Sequence, residues 1–252
     1  MEAPGANPSN PRNSPSPEEA RRLLESGEVT DCRLVPEGSN YTFLARVVGE
    51  DGISCQAIYK PQAGERPLWD FPQGTLYLRE CASYLVSQAI GWDFIPITVA
   101  REGPHGIGAL QQFITARPGG AYFALQERHK EQLWRMALFD LFANNADRKA
   151  GHCLLDERDK LWGIDHGLTF NVDFKLRTVV WDFCGEAIPQ PLLADIKALL
   201  DRLNSASDLA RHLGEMLEGE EVQCLQQRLQ AILTNPVYPL LNRRYNVPWP
   251  LV

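Results

Sequence analysis

Two aspartates carry the chemistry this chain could perform. Asp147 opens a charged loop, Asp147-Arg148-Lys149, at the end of an apolar helix pattern. A short run, Cys153-Leu154-Leu155, then a charged turn, Asp156 to Lys160, and a second run, Leu161 to Ile164, follow it. The second run stops at Asp165, two residues before Gly167. Two apolar runs joined by a polar turn predict a β-hairpin. One carboxylate then lies just before the hairpin and one just after it, so both can face one cleft. Phosphoryl transfer to a hydroxyl uses that layout: one aspartate orients the acceptor, and a second holds Mg²⁺ on nucleotide phosphates. Taken singly, each residue has a plainer reading. An Asp-Arg pair near a helix end makes a cap or a surface ion pair, and a DxG after a strand makes a turn.

The elements upstream are ordered as such a site requires. Lys60 closes the predicted strand Ile53 to Lys60, where its ammonium could meet phosphate as a point charge. Its candidate partner is Glu80, on a helix that Thr75 caps and that runs to Ile90. The apolar face of that helix is Leu78, Cys81, Ala82, Leu85, Val86 and Ala89. Glu80 lies off the stripe, either as a solvated charge or facing a cleft, and spacing does not decide between them.

Two further strands, Thr30 to Val35 and Tyr41 to Val48, enclose a turn in which Gly38, Ser39 and Asn40 could offer backbone N–H groups and small polar side chains to phosphates. The plain alternative is an ordinary hairpin turn. Strands at 95–101 and 108–116 follow the helix. Gln112-Phe113-Ile114 then leads into Arg117-Pro118-Gly119-Gly120, a lobe boundary at which the backbone would meet an adenine ring.

Beyond that boundary the pattern is helical. Residues 126–145 place Leu133, Trp134, Ala137, Leu138, Leu141 and Phe142 on one face and deliver the chain to Asp147; helices are also predicted at 191–204, 207–218 and 220–233. The Pro- and aromatic-rich end is expected to pack extended. Residues 1–17, rich in Pro, Ser, Asn and Gly, are expected to form a disordered tail, followed by a short helix from Glu18 to Ser26. The organisation expected is a tail (1–17), a nucleotide-binding N-lobe (18–116) and a helical C-lobe (117–252).

Composition bounds the function. The chain has 252 residues, 44% hydrophobic and 23% charged, enough for a real core in one large domain or two lobes. Its formal net charge of −7 argues against nucleic acid or an anionic membrane as partner. There is neither an apolar run long enough to span a membrane nor a signal-peptide pattern, so a cytoplasmic location is expected. The six scattered cysteines include no CxxC pair and read as buried free thiols. His105, His129 and His212 read as solvated surface. Asp140 either braces the loop after its helix or lies on a polar face. Asp182 and Glu186 are acidic groups near a possible substrate side.

Asp147-Arg148-Lys149-Ala150-Gly151-His152, Asp165-His166-Gly167, the Tyr59-Lys60-Pro61 triplet, the PLWDFP stretch (67–72) and the helix LRECASYL resemble the small bacterial branch of the phosphoinositide 3-/4-kinase-related family, distantly similar to HipA-like kinases. The likeness spans Thr30 to Thr234. It implies an α+β, two-lobed, protein-kinase-like fold with an antiparallel-sheet N-lobe and a mainly helical C-lobe, using ATP and Mg²⁺ or Mn²⁺. By the same likeness Asp147 is the acceptor-orienting base with Arg148 bracing its loop, Asp165 the main metal ligand, and Lys60 the contact to the α/β-phosphates, held by Glu80. Lys149 stands where the family's loop carries His, and His152 where it carries the metal-binding Asn. Imidazole suits Mn²⁺ better than Mg²⁺. The expectation is a bacterial ATP-dependent phosphotransferase acting on a protein or small-molecule hydroxyl. A nucleotide- or partner-binding pseudokinase and an AMP-transferring enzyme on the same fold are the alternatives.

Overall fold

The computed structural model of the chain describes residues 15–36, 40–125 and 127–251. The expected disordered tail falls outside the described residues as far as residue 14. From Ser16 the chain is already organised. Helix α1 runs Pro17–Ser26, one residue earlier than the pattern predicted, because Ser16 and Glu19 form a reciprocal capping box and proline suits the first helical position.

Five antiparallel strands follow: β1 Glu28–Val35, β2 Thr42–Val48, β3 Ser54–Pro61, β4 Thr98–Gly103 and β5 Gly106–Gln112, in the order β1-β2-β3-β5-β4. The β4–β5 hairpin is therefore added to the β3 edge after the chain has left the sheet and returned. One face buries Ala45, Val47, Ala57, Tyr59 and Leu110 beneath Leu23 and Leu24 of α1. Gly108 is required where β5 passes β3, since a Cβ there would lie 2.4 Å from the carbonyl oxygen of Lys60.

The excursion is helix α2, Leu76–Ile90. Thr75 stands at its cap, but its hydroxyl donates to the Pro72 carbonyl instead, and the carboxylate of Glu65 accepts from the Leu76 and Tyr77 amides. The helix packs on both the sheet and the later helices, so it is buried nearly all round. Arg79, Glu80, Ser83 and Ser87 are buried along with Cys81, Ala82 and Val86, while Leu78, Leu85 and Ala89 of the expected stripe are half-buried. Buried polar groups are mostly paired, as Arg79, Glu80 and Ser83 are, whereas the Ser87 hydroxyl has no partner among the described residues.

The remaining chain supplies α3 Lys130–Ala143, the hairpin β6 Cys153–Leu155 and β7 Leu161–Gly163, then α4 Gln190–Leu203, α5 Asp208–Met216 and α6 Gly219–Thr234. Their core joins Phe94, Met136, Phe139 and Phe142 to the leucines of α4, α5 and α6. A 3₁₀ turn, Glu127–His129, precedes α3 and turns the His129 ring inward, where it is buried with Nε2 3.7 Å from Asp159. The solvated reading of His129 was therefore wrong. His105 is exposed, stacked on Phe43, and His212 is half-buried. The chain after α6 has no helix and lies along the helical half, with Tyr238 buried and Asn246 bonded to residues 176 and 178. All six cysteines are unpaired; Cys81 and Cys153 are buried and the other four are half-buried.

Candidate active site

Where the sheet meets the helical half, three titratable side chains from distant parts of the chain converge. Lys60, near the end of β3, donates to Glu80 Oε1 on α2 and to Asp165 Oδ1 at 2.8 Å. The second oxygen of Glu80 accepts the His166 amide at 2.9 Å. Desolvation favours neutral Lys60, but the carboxylates of Asp165 and Glu80 outweigh it and hold the ammonium well above lysine's usual range. Lys60 in turn holds the Asp165 carboxyl far below its usual range, against the opposing effect of burial. Burial pushes Glu80 upward, resisted by Lys60. Asp165 is hemmed in by protein yet keeps 48% of its side chain open to solvent, as a group on a cleft wall does. Its backbone is left-handed, at φ 60°, which aspartate tolerates better than most residues.

His152 closes the other side of Asp165, with Nε2 3.2 Å from Oδ2. Burial lowers the imidazole's pKa to about 4, so the ring is neutral at ordinary pH. The Lys149 amide approaches Nδ1 at 3.4 Å, which makes Nε2 the protonated nitrogen and the donor to Asp165. In this arrangement His152 orients the aspartate.

Asp147 sits on the same loop, a quarter exposed and 3.0 Å from Lys149 Nζ. Burial pushes its carboxyl up, while Lys149 pulls it down. Its amide is capped by the Asn145 side chain at 3.0 Å. Arg148, expected beside Asp147 in the catalytic group, has no exposed surface. Its guanidinium grips both oxygens of Asp140 at 2.9 Å, donates to the Ile164 carbonyl at 2.9 Å and reaches His166 Nε2 at 2.6 Å. That is a brace between α3, the loop and the end of the hairpin, and Asp140 is its anchor. Burial, and then Arg148, push the pKa of His166 well below the usual value, so its Nε2 is the acceptor.

The nucleotide-side residues are placed unevenly. Ser39 lies outside the described residues. Asn40 turns its side-chain oxygen to the Arg66 amide in the loop after β3, at 2.8 Å. The Gln112 and Phe113 amides are spent on Ile97 and Gln56 carbonyls, at 2.8 and 3.0 Å. Phe113 itself is 36% exposed. Asp182 is exposed and accepts from the Tyr122 hydroxyl, and Glu186 is exposed too.

Several residues that shape the site carried no role in the sequence reading. Asn144 ends α3 in a left-handed conformation and bonds to residues 171, 173 and 175. An Asn directly after an apolar helix is a recognised stop signal and could have been read so. Arg79 ties the Thr169 carbonyl to Glu221 of α6, at 2.7 and 2.5 Å, which steadies the turn after Asp165; no local pattern announces that pair. Among the described residues no group of three or more His, Cys, Asp or Glu could hold a metal on its own. Asp165 nevertheless fits as a hard-cation ligand, with open carboxylate oxygen beside a lysine, provided phosphate oxygens complete the shell.

No protein-family model matches the chain. Solved structures share its architecture at low identity. A Golgi casein kinase with Mn and ADP bound is 13% identical, covering 87% of this chain and 76% of its own, with a TM-score of 0.54. Hydra Fam20 with sugar is 13% identical over 86% and 87%, at 0.55. The Helicobacter pylori proinflammatory kinase CtkA is 11% identical over 83% and 94%, at 0.50. These likenesses establish a kinase-like α+β fold. In sequence, Protein Rv2133c of Mycobacterium tuberculosis is 37% identical over 264 aligned residues, covering 90% of this chain and 94% of that protein. At that identity over nearly the full length of both chains, this protein belongs to the family of Mycobacterium tuberculosis Rv2133c.

Proposed function

We propose that the protein is an ATP-dependent phosphotransferase with a hydroxyl acceptor, built on the phosphoinositide 3-/4-kinase-related plan that its Asp147 and Asp165 motifs resemble. The observation that carries this reading is Lys60 held between Glu80 and Asp165. A charged lysine poised by a buried carboxylate, facing an open aspartate across a cleft, is what docking of a nucleotide polyphosphate with its metal requires. That a Golgi casein kinase of the same fold holds Mn and ADP supports the choice of ligand.

In this reading Lys60 would contact the phosphates, and Asp165, oriented by His152, would hold the divalent ion. The ion, Mg²⁺ or Mn²⁺, supplies charge neutralisation on the phosphate oxygens. Asp147 hydrogen-bonds the acceptor hydroxyl. The acceptor oxygen forms its bond to the γ-phosphorus as the bond to the bridging oxygen breaks, ADP leaves, and the hydroxyl proton passes to Asp147. A carboxyl raised by burial is better suited to take that proton. Arg148 and Asp140 touch no reactant and hold the loop in place.

The test is thermal unfolding with ATP, with Mn²⁺ or Mg²⁺, and with both together. A ligand that binds only the folded state raises the midpoint by mass action. A rise that needs nucleotide and metal together is the expected result. No rise under any condition would reject the nucleotide site.

A further inference from the structure

One cavity lies beside the Lys60 cluster. About 320 Å³ in volume, it lies within the loop that joins β3 to α2, lined by Gln62, Glu65, Arg66, Leu68, Phe71 and Gln73 among others. That is small-molecule scale, at the lower end of the usual range for ligand sites.

Its walls are fastened to several parts of the surrounding structure. The Gln62 side chain donates to the Gly74 carbonyl at 2.9 Å and closes the loop at its base. The Arg66 amide is bound by Asn40 of the β1–β2 turn, and Leu76, a lining residue, lies 3.6 Å from a Cβ built on Gly167. Asp70 of the same loop pairs with Lys175 at 3.1 Å, and its carbonyl accepts from Asn171 at 2.6 Å. The cavity therefore stands beside Asn40, the start of the helix that carries Glu80, and the segment following Asp165. Leu76 and Gly167 bring its inner wall next to the segment that follows Asp165, the proposed metal ligand.

The lining also has a chemical character. Glu65 is spent on the first amides of α2. Arg66 is exposed, and among the described residues no carboxylate lies within 4.0 Å of its guanidinium. The two glutamines bring primary amides that can pair with hydroxyls, and Leu68 and Phe71 form an apolar wall.

We propose that this cavity is the acceptor pocket and that it takes a small hydroxylated anion, its carboxylate or phosphate on Arg66 and its hydroxyl directed to the cleft. The inference rests on the phosphotransferase reading and narrows it to a small-molecule acceptor. The hydroxyl gains the γ-phosphoryl group of ATP, ADP is released, and the anionic group serves only to anchor.

Saturation-transfer NMR on the full chain with ATP and Mg²⁺ tests it. The probes are glycerol 3-phosphate and glucose 6-phosphate for phosphate, glycerate for carboxylate, and glycerol and glucose as neutral controls. At least one anion should bind, more tightly than its neutral counterpart, and Arg66→Ala should weaken it about tenfold or more, the scale of one charge-assisted hydrogen bond. Arg66→Ala should leave the rise in unfolding temperature with nucleotide and metal unchanged, which separates a lost pocket from a lost fold. Phosphate binders alone, or carboxylate binders alone, would support the pocket and identify its anchor. If the nucleotide rise is intact but no anion binds, or binding ignores Arg66, the pocket is refuted and the phosphotransferase reading stands. If the nucleotide rise is itself absent, both fall.

Discussion

Lys60 and Asp165, 105 residues apart in the chain, meet at 2.8 Å across the cleft. Glu80 holds the lysine from behind, and its other oxygen binds the His166 amide next to Asp165. Glu80 thus ties the sheet, through Lys60, to the segment just after Asp165. In Asp165→Ala the lysine keeps Glu80, so the fold should persist. The rise in unfolding temperature with ATP and metal should vanish. A rise equal to that of the unaltered protein would move the metal site elsewhere.

Asp147→Asn keeps the shape of the loop and removes the proposed proton acceptor. Nucleotide-induced stabilisation should be retained, while transfer to any acceptor falls by about 10²- to 10⁴-fold, the usual contribution of a general base. Phosphate-release or acceptor-labelling rates compare the two proteins. Unchanged transfer would assign the base to another group.

The buried Arg148–Asp140 pair predicts an asymmetry. Arg148→Met alone leaves Asp140 uncompensated and should cost about 3–5 kcal/mol in chemical denaturation. Replacing both, with Asp140→Leu, should cost less than the sum of the two single changes. Additive losses would mean that the two side chains do not act as a pair.

Stability of the metal-free protein should fall as the pH drops. An unfolded histidine takes a proton near pH 6.5, whereas buried His152 resists until about 4, so between those values the unfolded chain binds more protons. His152 then contributes a loss of at most ~3 kcal/mol across that window. His166, held low by the same burial, adds to the decline. Denaturant midpoints at pH 7, 6, 5 and 4 should show the trend. His152→Asn should flatten it, and an unaltered slope would remove His152 from the account.

His152→Asn also bears on metal choice. An amide in that place can donate to Asp165 from its NH₂ or offer oxygen to a metal, so nucleotide binding with Mg²⁺ should be kept or improved. Calorimetry of Mg²⁺–ATP binding measures it. A loss of tenfold or more would give the imidazole a role that an amide cannot fill.

Much of the framework was legible in residue order alone. The turn signals and the two periodicities placed all five strands of the sheet, helices α2 to α6 and the β6–β7 hairpin within a few residues, because those rules act between neighbours. They also set Lys60 at a strand end and Asp165 just past a hairpin. What they could not reach was partnership. Whether Glu80 was solvated or buried against Lys60 depended on α2 being enclosed on nearly all sides, a property of the assembled layers. Asp140 became the anchor of Arg148, and His129 turned inward, for the same reason: a buried charge or ring is placed by whatever surrounds it in space. Glu65, capping α2 from across a loop, displaced the role that local chemistry gave to Thr75. The cavity beside the cleft has no sequence signature, since it is a space left by several segments and not a feature of any one.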